Sequence, residues 1–192
     1  MNFIKQYKNC LDPFTCREII AKFELDKYLH GLGETSNGLV PEHKSSTEIT
    51  VNYKLFHKSD WNDIITKIFL SLQSGLSEYK KQFSVDNEIG INSIARWKME
   101  DEFNIQRFTP GEGFKAWHCE SPNLKSSNRV LVWMFYLNDV DDGGTDFYFQ
   151  DFTCKAEEGK LVIWPPDWTH FHRSQVSHTK TKYIITGWFT LY

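Results

Sequence analysis

In the first half of the chain the hydrophobic positions recur at helical spacing. In the second half they gather into short runs divided by turn signals. Asp12 precedes Pro13, Phe14, Ile19, Ile20 and Phe23, which predicts a capped helix with proline in its first turn. Residues 30–50 turn polar, with Gly31, Gly33, Ser36 and Gly38, and read as a loop. A stronger helix is expected from Ser59 or Asp60, because Trp61, Ile64, Ile65, Ile68, Phe69, Leu72, Leu76 and Tyr79 hold one helical face. That face needs an apolar partner, and the second half supplies strand-like runs at 103–108, 130–137, 145–149, 160–164 and 183–191. Gly- and Pro-rich turns separate them at 109–113, 141–144, 157–159 and 165–167. The pattern predicts a mostly β, α+β protein: a barrel-like or jelly-roll double sheet with the earlier helices on one outer face. With no repeat or linker, residues 1–192 are expected to form one domain, 1–85 as helical support and 90–192 as the core that carries the chemistry.

Composition narrows the class. The 192 residues are 40% hydrophobic and 24% charged with a net charge of −3, and no basic run points to a nucleic-acid or membrane surface. No apolar stretch approaches the roughly 20 residues that span a bilayer. The opening Met-Asn-Phe-Ile-Lys-Gln lacks the apolar run of a signal peptide, so a cytoplasmic location is expected. The four cysteines, Cys10, Cys16, Cys119 and Cys154, show no Cys-x-x-Cys spacing, which argues against structural zinc and for free thiols.

The candidate chemistry lies in two short motifs. His118 and Glu120 are two residues apart and project from one face of an extended chain. A second pair, His170 and His172, follows in Asp-Trp-Thr-His-Phe-His-Arg. Two histidines and one carboxylate form the facial ligand set of non-haem Fe(II), with positions left open for chemistry. By ligand type alone Mn(II), Co(II), Ni(II) and Zn(II) fit as well. His30, His43, His57 and His178 are read as ordinary surface or core histidines.

These motifs stand in an ordered series: QRFTPGEGFKAWHCE at 106–120, RVLVWMFYLNDVDDGGTDF at 129–147, GKLVIWPPDWTH at 159–170 and KYIITGWF at 182–189. The series resembles the prolyl 4-hydroxylase-like branch of the 2-oxoglutarate- and Fe(II)-dependent dioxygenases over residues 90 to 192. The resemblance implies a double-stranded β-helix, a distorted and cupin-like jelly roll, with the metal near its open end. It places His118, Glu120 and His170 as the metal ligands. It gives Lys182 the distal carboxylate of 2-oxoglutarate, with the Tyr136 hydroxyl beside it. His172 and Lys180 are the alternatives for His170 and Lys182. The chain departs from the family in carrying Glu120 where Asp is usual and Phe108 where a tyrosine often stands.

The implied reaction is hydroxylation of a C–H bond with 2-oxoglutarate and O2, releasing succinate and CO2. The substrate is an unassigned small molecule or peptide, with peptidyl-proline one possibility, because one fold hosts many substrates. The alternative is a non-catalytic metal- or ligand-binding module of the same fold, for which Glu120 is the motive.

Overall fold

The computed structural model describes residues 2–85 and 88–192. Its helices are α1 (Pro13–Leu25), the single turn α2 (Tyr53–Phe56) and α3 (Asn62–Gln82). The strands of the first half are β1 (Lys5–Tyr7), β2 (Gly31–Leu32), β3 (Lys44–Ser45), β4 (Thr47–Asn52), β5 (Ser84–Val85) and β6 (Ile89–Gly90). The second half carries β7 (Trp97–Phe108), β8 (Gly113–Phe114), β9 (Arg129–Tyr136), β10 (Val140–Phe147), β11 (Phe152–Ala156), β12 (Leu161–Trp164), β13 (His172–Ser174) and β14 (Lys182–Leu191). Seven of these strands form a major antiparallel sheet in the order β1-β12-β9-β14-β7-β4-β2, and a minor sheet β11-β10-β13 lies apart from it. This is the expected mostly-β double sheet with helices on one outer face.

Period-two alternation along the major sheet separates two cores. Phe103 and Ile105 of β7, Leu131, Trp133 and Phe135 of β9, Leu161 and Ile163 of β12, and Ile185 and Phe189 of β14 join α1 and α3 in one cluster. The intervening residues Val132, Met134 and Tyr136, Val162 and Trp164, and Ile184 join Val140, Phe147 and Cys154 in the other. A shift of one residue would exchange the two sets, so the register is strongly specified. Gly187 belongs to this fit: a Cβ there would lie 2.3 Å from the ring of Trp133.

The helices form for the expected reasons. Asp12 accepts from Thr15 N at 3.0 Å and Pro13 follows it. Ile64, Ile65, Ile68, Leu72 and Tyr79 of α3 are buried, each fully buried aliphatic contributing about 1.5–3 kcal/mol. Trp61 Nε1 donates to Asp26 at 2.8 Å, which ties the start of α3 to the end of α1. The helix begins at Asn62, within a turn of the expected start.

One expectation is corrected. The stretch 30–50, read as loop, contains β2, β3 and the start of β4, which pairs with β7 from Thr47↔Arg107 to Asn52↔Glu102. Ile49 and Val51 are buried, so the β-branched alternation after Ser46 prevails over the glycines and serines before it. Buried Glu48 on this strand accepts from Lys44, Ser46 and Gln106 at 2.6–2.7 Å.

Candidate active site

His118 and His172 are joined by backbone before their side chains meet anything. Each donates its N–H to the other's carbonyl, at 3.0 and 2.9 Å, in a single antiparallel bridge. Glu120 N donates to Pro166 O at 2.9 Å. The segment around His118 is thus held by isolated bonds rather than as a regular strand, yet residues 118 and 120 still present one side. His118 Nε2 lies 3.5 Å and His172 Nε2 lies 3.4 Å from the same Glu120 oxygen, Oε1. The three ligand atoms lie within 4.8 Å of one another.

The outer nitrogens and oxygen are all engaged. His118 Nδ1 donates to Ala116 O at 3.0 Å and His172 Nδ1 to His170 O at 2.9 Å, which leaves each Nε2 lone pair facing inward. Glu120 Oε2 accepts from Trp188 Nε1 at 3.0 Å and Arg129 Nη1 at 3.3 Å, so Oε1 is the free oxygen. Phe114 stacks on the His118 ring at 3.5 Å. Burial, reinforced by the facing His172, holds His118 below its ordinary value and therefore neutral. Although burial pushes the Glu120 carboxyl up, it lies well below its ordinary value and is ionised. Neutral imidazoles and a carboxylate are the forms that bind a hard-to-intermediate divalent ion. This donor set fits Fe(II).

The structure brings His172, and not the expected His170, together with His118 and Glu120. His170 sits on the 3₁₀ turn Trp168–His170, where its Nδ1 meets Thr169 Oγ1 at 2.9 Å and its ring stays outside the cavity wall. The turn interrupts the extended backbone, so the strand that faces His118 starts only at His172. His170 still serves the site through its carbonyl, which orients the His172 ring.

A cavity of about 680 Å³ runs from this trio to Tyr136 and Lys182. Lys182 is 2% exposed and donates to Gly143 O at 2.8 Å, to Ser174 Oγ and to Gln175 O at 3.2 Å. Its Nζ lies 5.2 Å from the ring centre of Phe108. Burial pushes its ammonium down to about 7, against the opposing pull of Asp142. A Cβ at Gly143 would sit 3.3 Å from the Lys182 chain and 2.5 Å from Val140, so glycine leaves the lysine its slot. Tyr136 shares a 2.6 Å hydrogen bond with Thr145. Lys180 does not line this cavity. A buried cation with no carboxylate partner among the described residues, beside a tyrosine and a threonine hydroxyl, is a receptor for an anion.

The model of the 2OG-Fe(II) oxygenase superfamily matches residues 103–190, the span that carries all these groups. Over this segment the chain is similar to that superfamily. That superfamily uses Fe(II) and 2-oxoglutarate as metal and cosubstrate. A PKHD-type hydroxylase from Synechococcus sp. (strain CC9902) is 24% identical over 128 residues, 64% of this chain and 56% of that protein; the match spans little more than half the relative's length. Among solved structures, a prolyl hydroxylase from Trichoplax adhaerens in complex with a hypoxia-inducible factor peptide aligns with TM-score 0.77 and 15% identity, over 99% of this chain and 84% of that one. A prolyl-4-hydroxylase from Pseudomonas putida aligns with TM-score 0.72 and 14% identity, over 99% and 94%. At such identity these neighbours establish the fold.

Three groups of the cavity lie outside the residues that the sequence motifs single out: Trp188, Arg129 and Thr145. Trp188 shares the cavity side of β14 with Lys182, Ile184 and Thr186, a parity that the period of two would have shown. Arg129 could not be found that way. Counting by twos from Tyr136 puts it on the helix side, but a register shift between Phe189 and Thr190 re-aims it. Its guanidinium then stacks on Trp188 at 3.7 Å and donates to the Glu120 backbone oxygen at 2.8 Å.

Proposed function

We propose that the chain is a 2-oxoglutarate-dependent hydroxylase in which His118, Glu120 and His172 hold the metal and Lys182 and Tyr136 hold the cosubstrate. The observation that carries this reading is the convergence of two imidazole Nε2 atoms and one carboxylate oxygen in the same cavity as a buried lysine that no carboxylate pairs among the described residues. When bound, Fe(II) with 2-oxoglutarate and O2 supplies oxidative decarboxylation to succinate and CO2 coupled to hydroxylation of a C–H bond.

Each residue contributes a separable task. Lys182 and the Tyr136 hydroxyl fix the distal carboxylate of 2-oxoglutarate and hence its register along the cavity. The Nδ1–H bonds of His118 and His172 lock both rings with Nε2 inward. Trp188 and Arg129 hold one oxygen of Glu120, so its longer arm still presents Oε1 to the histidines. Phe114, Met134, Trp164 and Ile184 give the cavity an apolar lining that keeps water from the reacting carbon.

Peptidyl-proline is the substrate we favour, supported by the prolyl hydroxylase neighbours, one of them solved with a peptide. We place the protein in a reducing, cytoplasmic compartment, supported by its four unpaired cysteines. Among the described residues no helix is long and apolar enough to cross a membrane. Anaerobic addition of Fe(II) and then 2-oxoglutarate tests the assignment. A weak visible charge-transfer band should appear in the wild type and be lost in His172→Ala. Its absence from the wild type would sink the hydroxylase reading in favour of a non-catalytic module.

A further inference from the structure

The backbones of His118 and His172 meet across a single pair of hydrogen bonds, and the chain on either side of His118 turns to other partners. Lys115 N and Ala116 N donate to His43 O at 2.7 and 3.2 Å, while Glu120 N and Ser121 N donate to Pro166 O at 2.9 and 3.1 Å. The bridge between the two histidines is therefore isolated. One such pair sets how far apart two backbones lie, but their mutual twist is left to side-chain contacts across the bridge. The twist matters because each Nε2 sits at the far end of its imidazole, where a small change of backbone angle becomes a large displacement.

The next pair along this bridge is Trp117 and Arg173, a non-hydrogen-bonded position at which opposed side chains come closest. The Arg173 guanidinium lies 4.5 Å over the Trp117 ring. Each partner is fixed from its own side. Arg173 stands opposite Asp146 of β10, with its Nε 3.4 Å from Asp146 Oδ2. Asp146 Oδ1 in turn accepts from Thr153 Oγ1 at 2.8 Å and Gln175 Nε2 at 3.0 Å. The Trp117 ring meets Tyr148 edge to face at 5.2 Å, and Tyr148 N donates to Phe171 O at 2.9 Å. The contact thus ties the irregular segment of His118 to the minor sheet, which also carries His172.

We propose that Trp117 and Arg173 are positioning residues: their cation–π contact sets the angle between the two histidine backbones and keeps both Nε2 atoms converged on Glu120 Oε1. The Arg173 side chain is 43% exposed, so the contact contributes little to folding. Its leverage comes from its place, one residue from each ligand. The inference takes from the hydroxylase reading only the identity of the ligand trio.

The test is anaerobic competition for Fe(II) between the full chain and a chelator, with the visible band of bound Co(II) as a second readout of ligand geometry. The proteins are wild type, Arg173→Met, Arg173→Lys, Trp117→Leu and the double variant Trp117→Leu/Arg173→Met. Arg173→Met keeps the stem and drops the cation. It should bind Fe(II) about three- to tenfold more weakly, the span of one partly exposed cation–π contact, and shift the Co(II) band. Arg173→Lys keeps a cation near the ring and should recover part of the loss. Trp117→Leu should lose about as much as Arg173→Met, and the double variant no more than either, because all three remove the same contact. The metal-free variants should unfold at the denaturant midpoint of the wild type. Unchanged Fe(II) affinity in Arg173→Met, additive losses in the double variant, or a fall in metal-free stability that parallels the fall in affinity overturns the proposal. If Trp117→Leu does not fold, the two Arg173 variants decide alone, and equal affinity in them overturns it. Absence of the 2-oxoglutarate charge-transfer band from a wild type whose Fe(II) affinity depends on Arg173 would refute the hydroxylase reading alone.

Discussion

The two faces of β14 differ in what their residues do. Tyr183, Ile185 and Phe189 turn towards the helices, where they pack with α1, α3 and the odd-numbered side chains of β9. Lys182, Ile184, Thr186 and Trp188 turn into the cavity. On the helix face the contribution of a residue is apolar volume, which a neighbour of similar size can replace at modest cost. On the cavity face Lys182 carries a charge in a place that penalises it, and Trp188 uses its N–H to hold a carboxylate. One strand therefore combines stability and chemistry one residue apart, and the alternation keeps each from disturbing the other.

The sharpest way to break this separation is at the metal trio. His172→Ala should abolish the Fe(II)/2-oxoglutarate charge-transfer band and reduce succinate formation by on the order of a thousandfold or more, since removal of a group acting as part of a unit costs about as much as removal of the unit. His170→Ala should keep the band, because its ring faces Thr169 rather than the cavity. Retention of the band in His172→Ala together with loss in His170→Ala would reverse the ligand assignment.

Lys182 tests the cavity face from the opposite direction. Lys182→Met should weaken 2-oxoglutarate binding by roughly a hundredfold, as a buried charge-assisted contact is worth about 1.5–3 kcal/mol. Stability at pH 7 should nevertheless stay within about 1 kcal/mol of wild type or exceed it, because an ammonium that resists burial is removed. Calorimetric titration across pH gives the linked result. With the lysine at about 7 in the free protein and raised by the bound dianion, both states are protonated well below pH 7 and affinity is flat there. Above pH 7 binding must take up a proton, so affinity should fall towards tenfold per pH unit. A pH-independent affinity between 7 and 9 would exclude Lys182 as the anion receptor.

The helix face should give the complementary outcome. Ile68 is fully buried between α3 and the sheet, and Ile68→Ala should cost about 2–5 kcal/mol in chemical denaturation. Under conditions where the variant is folded, its 2-oxoglutarate affinity should be unchanged.

How much of this was legible in the sequence follows the same division. The helix face of α3, the strands β7, β9, β12 and β14, and the convergence of His118 with Glu120 were readable because they depend on local periodicity. The choice between His170 and His172 was not. The two residues share parity, so a period of two cannot separate them, and the deciding feature is a 3₁₀ turn that ends two residues before His172. β4 was missed for a related reason: its partner β7 lies far along the chain, and its pairing outweighs the polar residues that precede it. Arg129 was hidden by a bulge, which shifts the face of a side chain without any mark in the hydrophobic pattern. A local turn decided the first, and tertiary pairing the other two.

The smallest effect, and the one most specific to this chain, concerns the longer arm of Glu120. Its Oε2 is held by the indole of Trp188 and the guanidinium of Arg129, so the position of Oε1 relative to His118 and His172 depends on groups outside the ligand trio. Trp188→Phe keeps the ring beneath Arg129 and removes only the N–H. Supporting partners of this kind typically contribute about 10–100-fold in metal affinity, and the remaining hold by Arg129 places the expected loss at the lower end, roughly tenfold. Competition with a chelator measures it directly. If the indole acts only by packing, Trp188→Phe will match the wild type; if it acts by orienting the carboxylate, Glu120→Asp will be much less sensitive to the same substitution, because the shorter side chain draws its oxygen away from Trp188. Equal sensitivity in the two backgrounds would show that Trp188 does not position Glu120.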